Sequence, residues 1–297
     1  MAIKPGDKIG ILSTARSIGK KELELADKLF RDWGLIPVYG NTINAQLNQF
    51  AGDDSLRTAD LQNFLNDTEI KAIICARGGY GTIRIIDGID FTGFMQHPKL
   101  ICGYSDVTVL HAHINDKLGI PTIHSTMPFS FERNTNEAIK SLKDALFGNP
   151  QNIDFETHAL NKTGTAEGIL IGGNLSILYS LLGTKFGFST GNKILFIEDI
   201  DEYLYHIDRM MMSLKLAGKL DYVSGIIIGG MTDMKDNKVK FGITAEAIIA
   251  SHLQLYNIPV AYNFPAGHID DNRALVFGRK VKLDVTDIAS SLTQINQ

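Results

Sequence analysis

Cysteine is scarce. Cys75 and Cys102 are the only two among 297 residues, too few for a disulfide-stapled fold and in keeping with a reducing compartment. Each lies at the end of an apolar run and reads as a small core residue. No C-x-x-C and no H-E-x-x-H occurs. His111 and His113, two apart on a predicted helix, face different ways, so neither a catalytic nor a structural metal is expected. Excess positive charge is missing too. The 29 Lys and Arg stand against 33 Asp and Glu, a net charge of −4 with no basic block, which argues against nucleic acid as a partner. No apolar run reaches membrane-spanning length. The opening MAIKPGDKIGILS lacks the basic, apolar, small-residue order of a secretory leader. The expected setting is therefore the cytoplasm, with no membrane association. No internal repeat, heptad array or low-complexity tract is present.

What is there is a chain with 44% hydrophobic residues, enough for one large core or two medium ones. Strand-sized apolar runs alternate with helical periodicity. KIGILS (8–13), LIPVYG (35–40), KAIICA (71–76), KLICG (99–103) and PTIHS (121–125) read as strands. Helices are predicted over 20–34, over 56–67 with Ser55 as cap, over 106–119 ending at Gly119, and over 134–148. This alternation predicts βαβ units around a mostly parallel sheet, with ligands gathering at the carboxyl ends of the strands. The turn-rich stretch 148–168 reads as a crossover between two domains, with 1–155 as the first, 156–165 as linker and 166–297 as the second. In the second half, 168–174, 193–199, 223–231 and 258–264 read as strands. Helices are predicted near LSILYSLLG, through YHIDRMMMSLKLAGKL and through ITAEAIIASHLQLY. ALVFG and KVKLDV read as hairpin arms.

The stretch ICGYSDVT (101–108) poses the functional question. Ser105 sits where a strand gives way to a helix, a preferred position for a helix cap. The same turn also exposes a hydroxyl beside the free N–H of Asp106, which suits an anion. It resembles a nucleophile elbow without the second glycine of G-x-S-x-G. ARGGYG (76–81) follows the neighbouring strand, and its glycines allow N–H groups to approach an oxyanion. It is no dinucleotide fingerprint, since position 84 is Arg84, and no P-loop, since no Lys-Ser/Thr follows. No cofactor is expected. Glu198 and Asp199 follow the apolar strand KILFI, and His268 lies in a loop shaped by Pro265 and Gly267. Local readings remain open beside these: helix-dipole charges for Asp199, Asp201 or Glu202, an ion pair for Asp208 and Arg209, core filling for Met210, Met211 and Met212, and a structural place for His124. In combination, Ser105, Glu198 and His268 each follow a predicted strand end and supply a nucleophile, an orienting carboxylate and a base. The backbone N–H groups of Asp106 and of Gly78 or Gly79 are then candidates for an oxyanion hole.

With ARGGYG (76–81), GYSD (103–106), GGNL (172–175), EDIDEYLYHIDR (198–209) and NFPAGH (263–268) in this order, the sequence resembles the LD-carboxypeptidase family of serine peptidases over nearly its whole length. That resemblance implies an α/β protein: a Rossmann- or flavodoxin-like first domain with a parallel sheet, and a β-rich α/β second domain. It implies an active site at their interface, carrying a triad that falls on Ser105, Glu198 and His268. It further implies cleavage of the bond from meso-diaminopimelate to the terminal D-alanine of a murein tetrapeptide in cell-wall recycling, and a homodimer. A related branch cleaves a peptide–nucleotide antibiotic. Arg77 is a candidate partner for the substrate's terminal carboxylate, with Tyr104 beside it. Met127, Phe129 and Phe131 form an apolar set for the cleft or a dimer contact. Ile269 departs from the glycine that many relatives carry after the histidine. Two other classes stay open: an α/β-hydrolase-type esterase, opposed by the missing glycine, and a two-domain binding protein without catalysis, opposed by the absent leader.

Overall fold

The computed structural model describes residues 1–295. Thirteen strands appear among them: β1 (Lys8–Leu12), β2 (Ile36–Tyr39), β3 (Ile70–Cys75), β4 (Leu100–Gly103), β5 (Thr122–His124), β6 (Asn152–Glu156), β7 (Gly164–Asn174), β8 (Lys193–Ile200), β9 (Gly225–Thr232), β10 (Val260–Ala261), β11 (Leu275–Phe277), β12 (Lys280–Val285) and β13 (Ala289–Gln294). The first sheet runs β2-β1-β3-β4-β5 with every pairing parallel, the flavodoxin-like order. Helices on both faces explain why β3 and β4 read as nearly continuous apolar runs. The second sheet, β10-β9-β8-β7-β12-β13-β6, is parallel from β7 to β10 and antiparallel at β12, β13 and β6. It is the β-rich α/β half.

The ends of elements differ from the sequence reading in instructive ways. The helix Asp54–Asn66 is capped by Asp53, whose Oδ1 accepts from Leu56 N at 2.7 Å, so Ser55 lies inside the first turn. The segment 258–264 forms only the short strand β10. The polar stretch after residue 148 is no plain crossover: β6 pairs with β13, so residues 152–156 lie in the second sheet, and β7 begins inside the expected linker at Gly164. ALVFG and KVKLDV are not arms of one hairpin. β11 leaves the second half of the chain and pairs antiparallel with β5, at the edge of the first sheet, while β12 pairs with β7 and β13. No local signal reports a partner 150 positions away.

The two sheets meet through aromatic rings. Phe196 of β8 stands 5.1 Å from His124 of β5, 6.0 Å from Phe264 and 6.2 Å from Phe277 of β11, between ring centroids. A polar tie lies alongside, from Asn174 N to Thr108 Oγ1 at 3.0 Å. Asp208 pairs with His252 at 2.8 Å rather than with Arg209, which lies over the Tyr205 ring. Met210 and Met211 are buried as expected of core residues, whereas Met212 is exposed. Both cysteines are free and buried, and burial pushes the Cys75 thiol up to about 12. Among the described residues no helix is long and apolar enough to cross a membrane.

Candidate active site

β4 ends at Gly103, and the chain turns at once into the short helical turn Ser105–Val107 followed by the helix Thr108–His113. Ser105 adopts φ 63°, a left-handed conformation that few non-glycine residues take. Such strain persists only where surroundings impose it and is common at functional sites. The cap reading fails here, because Tyr104 occupies the cap position and Ser105 makes no capping bond. Its hydroxyl instead lies 3.2 Å from His268 Nε2. The turn is braced from below by Asp106, a buried carboxyl whose Oδ2 accepts from Thr82 N at 2.8 Å. That bond ties the elbow to the helix after ARGGYG. His111 adds a second brace: its Nε2 lies 2.8 Å from the Gly103 carbonyl and its Nδ1 2.8 Å from Thr122 Oγ1.

Glu198 is fully buried at the carboxyl end of β8, where the pairing with β9 slips in register between Ile197 and Asp199. Its Oε2 accepts from His268 Nδ1 at 2.7 Å and from the His268 backbone N at 3.2 Å. Close approach requires Gly267: a Cβ there would come within 2.7 Å of Glu198 Cβ, and its φ is 105°. With Nδ1–H given to the carboxylate, Nε2 keeps its lone pair toward the serine. Burial draws the His268 pKa down, but the charge and hydrogen bond of Glu198, with Asp199 behind, outweigh it and leave the pKa above its usual value.

Gly78 presents its backbone to the same point. A Cβ at Gly78 would lie 3.1 Å from Ser105 Cβ and 3.3 Å from Ser105 Oγ, so the bare backbone is what allows the two loops to meet. Neither Gly78 nor Gly79 gives its N–H to another backbone carbonyl among the described residues. Both glycines line a cleft of about 490 Å³ with Ser105, His268, Tyr104 and Arg77. Glu198 sits behind His268, outside the lining. Met127 and Phe129 line the cleft, but Phe131 does not: it is buried against Phe30 at 5.8 Å between centroids. His124 is fully buried beneath Tyr104, with neither ring nitrogen hydrogen-bonded.

The cleft also contains groups to which the sequence assigns no place in the site. Arg16, Arg133, Asn174, Asp199 and Asp233 line it. Asp199 accepts from Asn174 Nδ2 and from Ser176 N, both at 2.8 Å. Its carboxyl thus serves the start of the helix Leu175–Ser180 rather than the helix that follows β8. Burial and the adjacent Glu198 push its carboxyl up to about 7. Asn174 stood within GGNL, but nothing local marked its side chain as the one that turns inward. Among the described residues no three His, Cys, Asp or Glu gather closely enough to hold a metal ion.

A hydroxyl, an imidazole and a buried carboxylate in hydrogen-bonded series, at a cleft between two α/β sheets, are the parts of a serine-type hydrolase. Comparison with known proteins agrees. The profile of the LD-carboxypeptidase N-terminal domain matches residues 9–125, and that of the LD-carboxypeptidase C-terminal domain matches residues 167–283. A probable murein peptide carboxypeptidase of Bacillus subtilis is 35% identical over 96% of this chain and 91% of its own length. A murein tetrapeptide carboxypeptidase of Pseudomonas aeruginosa is 29% identical, with 93% of each chain covered. Two solved structures share the fold. A muramoyltetrapeptide carboxypeptidase from Oxalobacter formigenes superposes with TM-score 0.88 at 24% identity, covering 97% of this chain and 99% of the other. The microcin self immunity protein MccF does so with TM-score 0.86 at 22% identity, covering 99% and 98%. The chain belongs to the LD-carboxypeptidase family and is a serine-type peptidase.

Proposed function

We propose that this enzyme is a carboxypeptidase that cleaves the L,D bond between meso-diaminopimelate and the terminal D-alanine of murein tetrapeptides, through an acyl-enzyme on Ser105. The observation that carries the reading is the series Ser105 Oγ, His268 Nε2 and Glu198 Oε2, with steps of 3.2 and 2.7 Å. Ser105 Oγ attacks the scissile carbonyl carbon while His268 Nε2 takes its proton. The carbonyl oxygen becomes an oxyanion beside the N–H groups of Asp106 and of Gly78 or Gly79, groups held in place before charge develops. The C–N bond then breaks, and His268 returns the proton to the leaving amine of D-alanine. Water, deprotonated by His268, attacks the Ser105 ester, releasing the tripeptide acid and restoring the hydroxyl. Glu198 holds the imidazole tautomer and stabilises its cation throughout. Arg77 and Tyr104 line the cleft as substrate contacts. A small muropeptide is the partner; the cytoplasm as its setting, a role in cell-wall recycling, a homodimer and the two-domain division are part of the same reading.

The substrate class is supported by the murein peptide names of the relatives. The test incubates the purified protein with L-Ala-γ-D-Glu-meso-DAP-D-Ala and measures free D-alanine. Release that persists in EDTA and falls by about 10³-fold or more in Ser105→Ala is expected. Release by Ser105→Ala at the wild-type rate defeats the serine mechanism. An enzyme inert on the tetrapeptide but active on an aminoacyl-nucleotide amide belongs to the antibiotic-immunity branch instead. One active only on simple esters returns the question to an esterase.

A further inference from the structure

We propose that Arg133 holds the terminal carboxylate of the substrate and so restricts the cleft to the last residue of a peptide. The assignment rests on the L,D-carboxypeptidase reading above and moves the role from Arg77, the candidate the sequence offered. Both line the cleft, as does Arg16, which follows β1 two strands away from β4, but the two are engaged differently. Arg77 donates from Nη1 to the Ser17 carbonyl at 3.2 Å and lies 4.1 Å over the Phe129 ring. Its guanidinium is thus held between the segment after β1 and the segment after β5. Arg133 has one bond, from Nη2 to Tyr104 Oη at a long 3.4 Å. Among the described residues the arginines paired with carboxylates are Arg31, Arg57, Arg84 and Arg273, and Arg133 has no such partner.

The position of Arg133 relative to the base is fixed by two independent contacts. The Tyr104 ring that receives its bond lies 4.8 Å from the His268 imidazole, centroid to centroid. The residues just after it are bonded to the loop just after the histidine: Asn134 Nδ2 and Thr135 N both donate to the Asp270 carbonyl, at 2.9 and 3.0 Å, and Thr135 Oγ1 donates to Asp271 Oδ1 at 3.0 Å. The chain reaches Arg133 after β5, on the other side of β4 from Arg77, which follows β3. The chemistry asks for a cation on this side. His268 delivers its proton to the leaving amine, and in a terminal residue the carboxylate is only two bonds from that nitrogen. A group that grips it must therefore stand beside the base. A guanidinium without a counter-charge offers a planar fork that matches a carboxylate in two parallel hydrogen bonds. An endo-acting substrate would put a neutral amide there and lose them.

Two peptides test the assignment: L-Ala-γ-D-Glu-meso-DAP-D-Ala and the same peptide ending in D-alaninamide. The wild-type enzyme is expected to prefer the free acid in kcat/KM by about tenfold to a hundredfold, the range for a hydrogen bond to a charged group, chiefly through KM. Arg133→Gln brings the ratio of the two substrates close to one, Arg133→Lys gives an intermediate ratio, and Arg77→Gln keeps the wild-type ratio. Circular dichroism and Tm identify any variant that does not fold, and Arg133→Lys supplies the same readout should Arg133→Gln be lost. A wild-type ratio retained in Arg133→Gln, or erased by Arg77→Gln, overturns the assignment. So does equal cleavage of acid and amide by the wild type. Failure of the wild type to cleave either peptide instead sinks the L,D-carboxypeptidase reading, and the assignment with it.

Discussion

Ser105 Oγ and His268 Nε2 lie 3.2 Å apart across 163 positions of sequence. The serine hangs from the first sheet and the histidine from the loop after β10 of the second, so their distance reports how the sheets are docked. Proton transfer between them needs hydrogen-bond contact, and displacement of a catalytic group by about 1 Å costs roughly a hundredfold in rate. In the proposed mechanism, catalysis is therefore sensitive to the seam as well as to the three side chains.

In the proposed mechanism the pH dependence follows from His268, which accepts a proton only when neutral. Its pKa is raised above 6.5 because Glu198 outweighs the opposing effect of burial. The acid limb of kcat/KM is expected to have its midpoint above pH 6.5. Glu198→Gln removes the charge that raises the pKa, so the limb moves to lower pH, and the misheld tautomer costs about 10³- to 10⁴-fold in rate. An unchanged limb in that variant, measured over pH 5 to 9, contradicts the role given to Glu198.

Gly78→Ala separates activity from stability. The added methyl would stand 3.1 Å from Ser105 Cβ and 3.2 Å from Met127 Cε, closer than neighbours ordinarily sit, so the serine must give by a few tenths of an ångström. The backbone at Gly78 is not in the left-handed region, and alanine imposes no strain of its own. A fall in kcat of about tenfold or more is expected, with Tm within about 2 °C of wild type. Equal kcat at equal Tm removes Gly78 from the reaction centre.

Phe196→Ala tests the seam. The ring is fully buried among His124, Phe264 and Phe277, and its removal should cost about 3–5 kcal/mol by cavity formation. The expected signature is a lowered denaturation midpoint together with a lower kcat, since the sheets lose their common filler. A stability loss without any change in kcat would mean that the seam does not set the distance between serine and histidine.

His111 makes the fold acid-sensitive. It is fully buried, and burial lowers its pKa from 6.5 to about 4. Its neutral form fits the fold, so this stability is whole above pH 6.5 and is lost as pH falls from 6.5 toward 4, the unfolded chain binding the proton first. The shift corresponds to about 3 kcal/mol at most. His111→Gln, titrating nothing, should show a shallower fall in urea-unfolding free energy between pH 7 and 4. An identical slope would place the acid sensitivity elsewhere.

The sequence made β1, β3 and β4 legible because strands covered on both faces leave unbroken apolar runs. The three proposed triad residues were legible as types at strand ends, and only their combination raised them above a cap, a dipole charge and a solvated histidine. The positive φ of Ser105 was invisible, since serine is also a favoured cap and the strain is imposed by packing. Asp53 displaced Ser55 because either residue can cap and the docking of the helix chooses. Arg133 stood in plain view within STMPFSFERN, but only the fold brings its loop against that of His268. β11 was misread for a related reason: pairing with β5 is set by topology, not by neighbours in sequence.

That returning strand has a consequence for biosynthesis. The outer edge of β5 stays open until residues 275–277 have been made and threaded back to it, and an open edge is a template for unwanted pairing. A nascent chain still lacking that segment cannot finish the sheet that carries Ser105. In the proposed mechanism, therefore, the sheet that carries the nucleophile is complete only once residues 275–277 have been made.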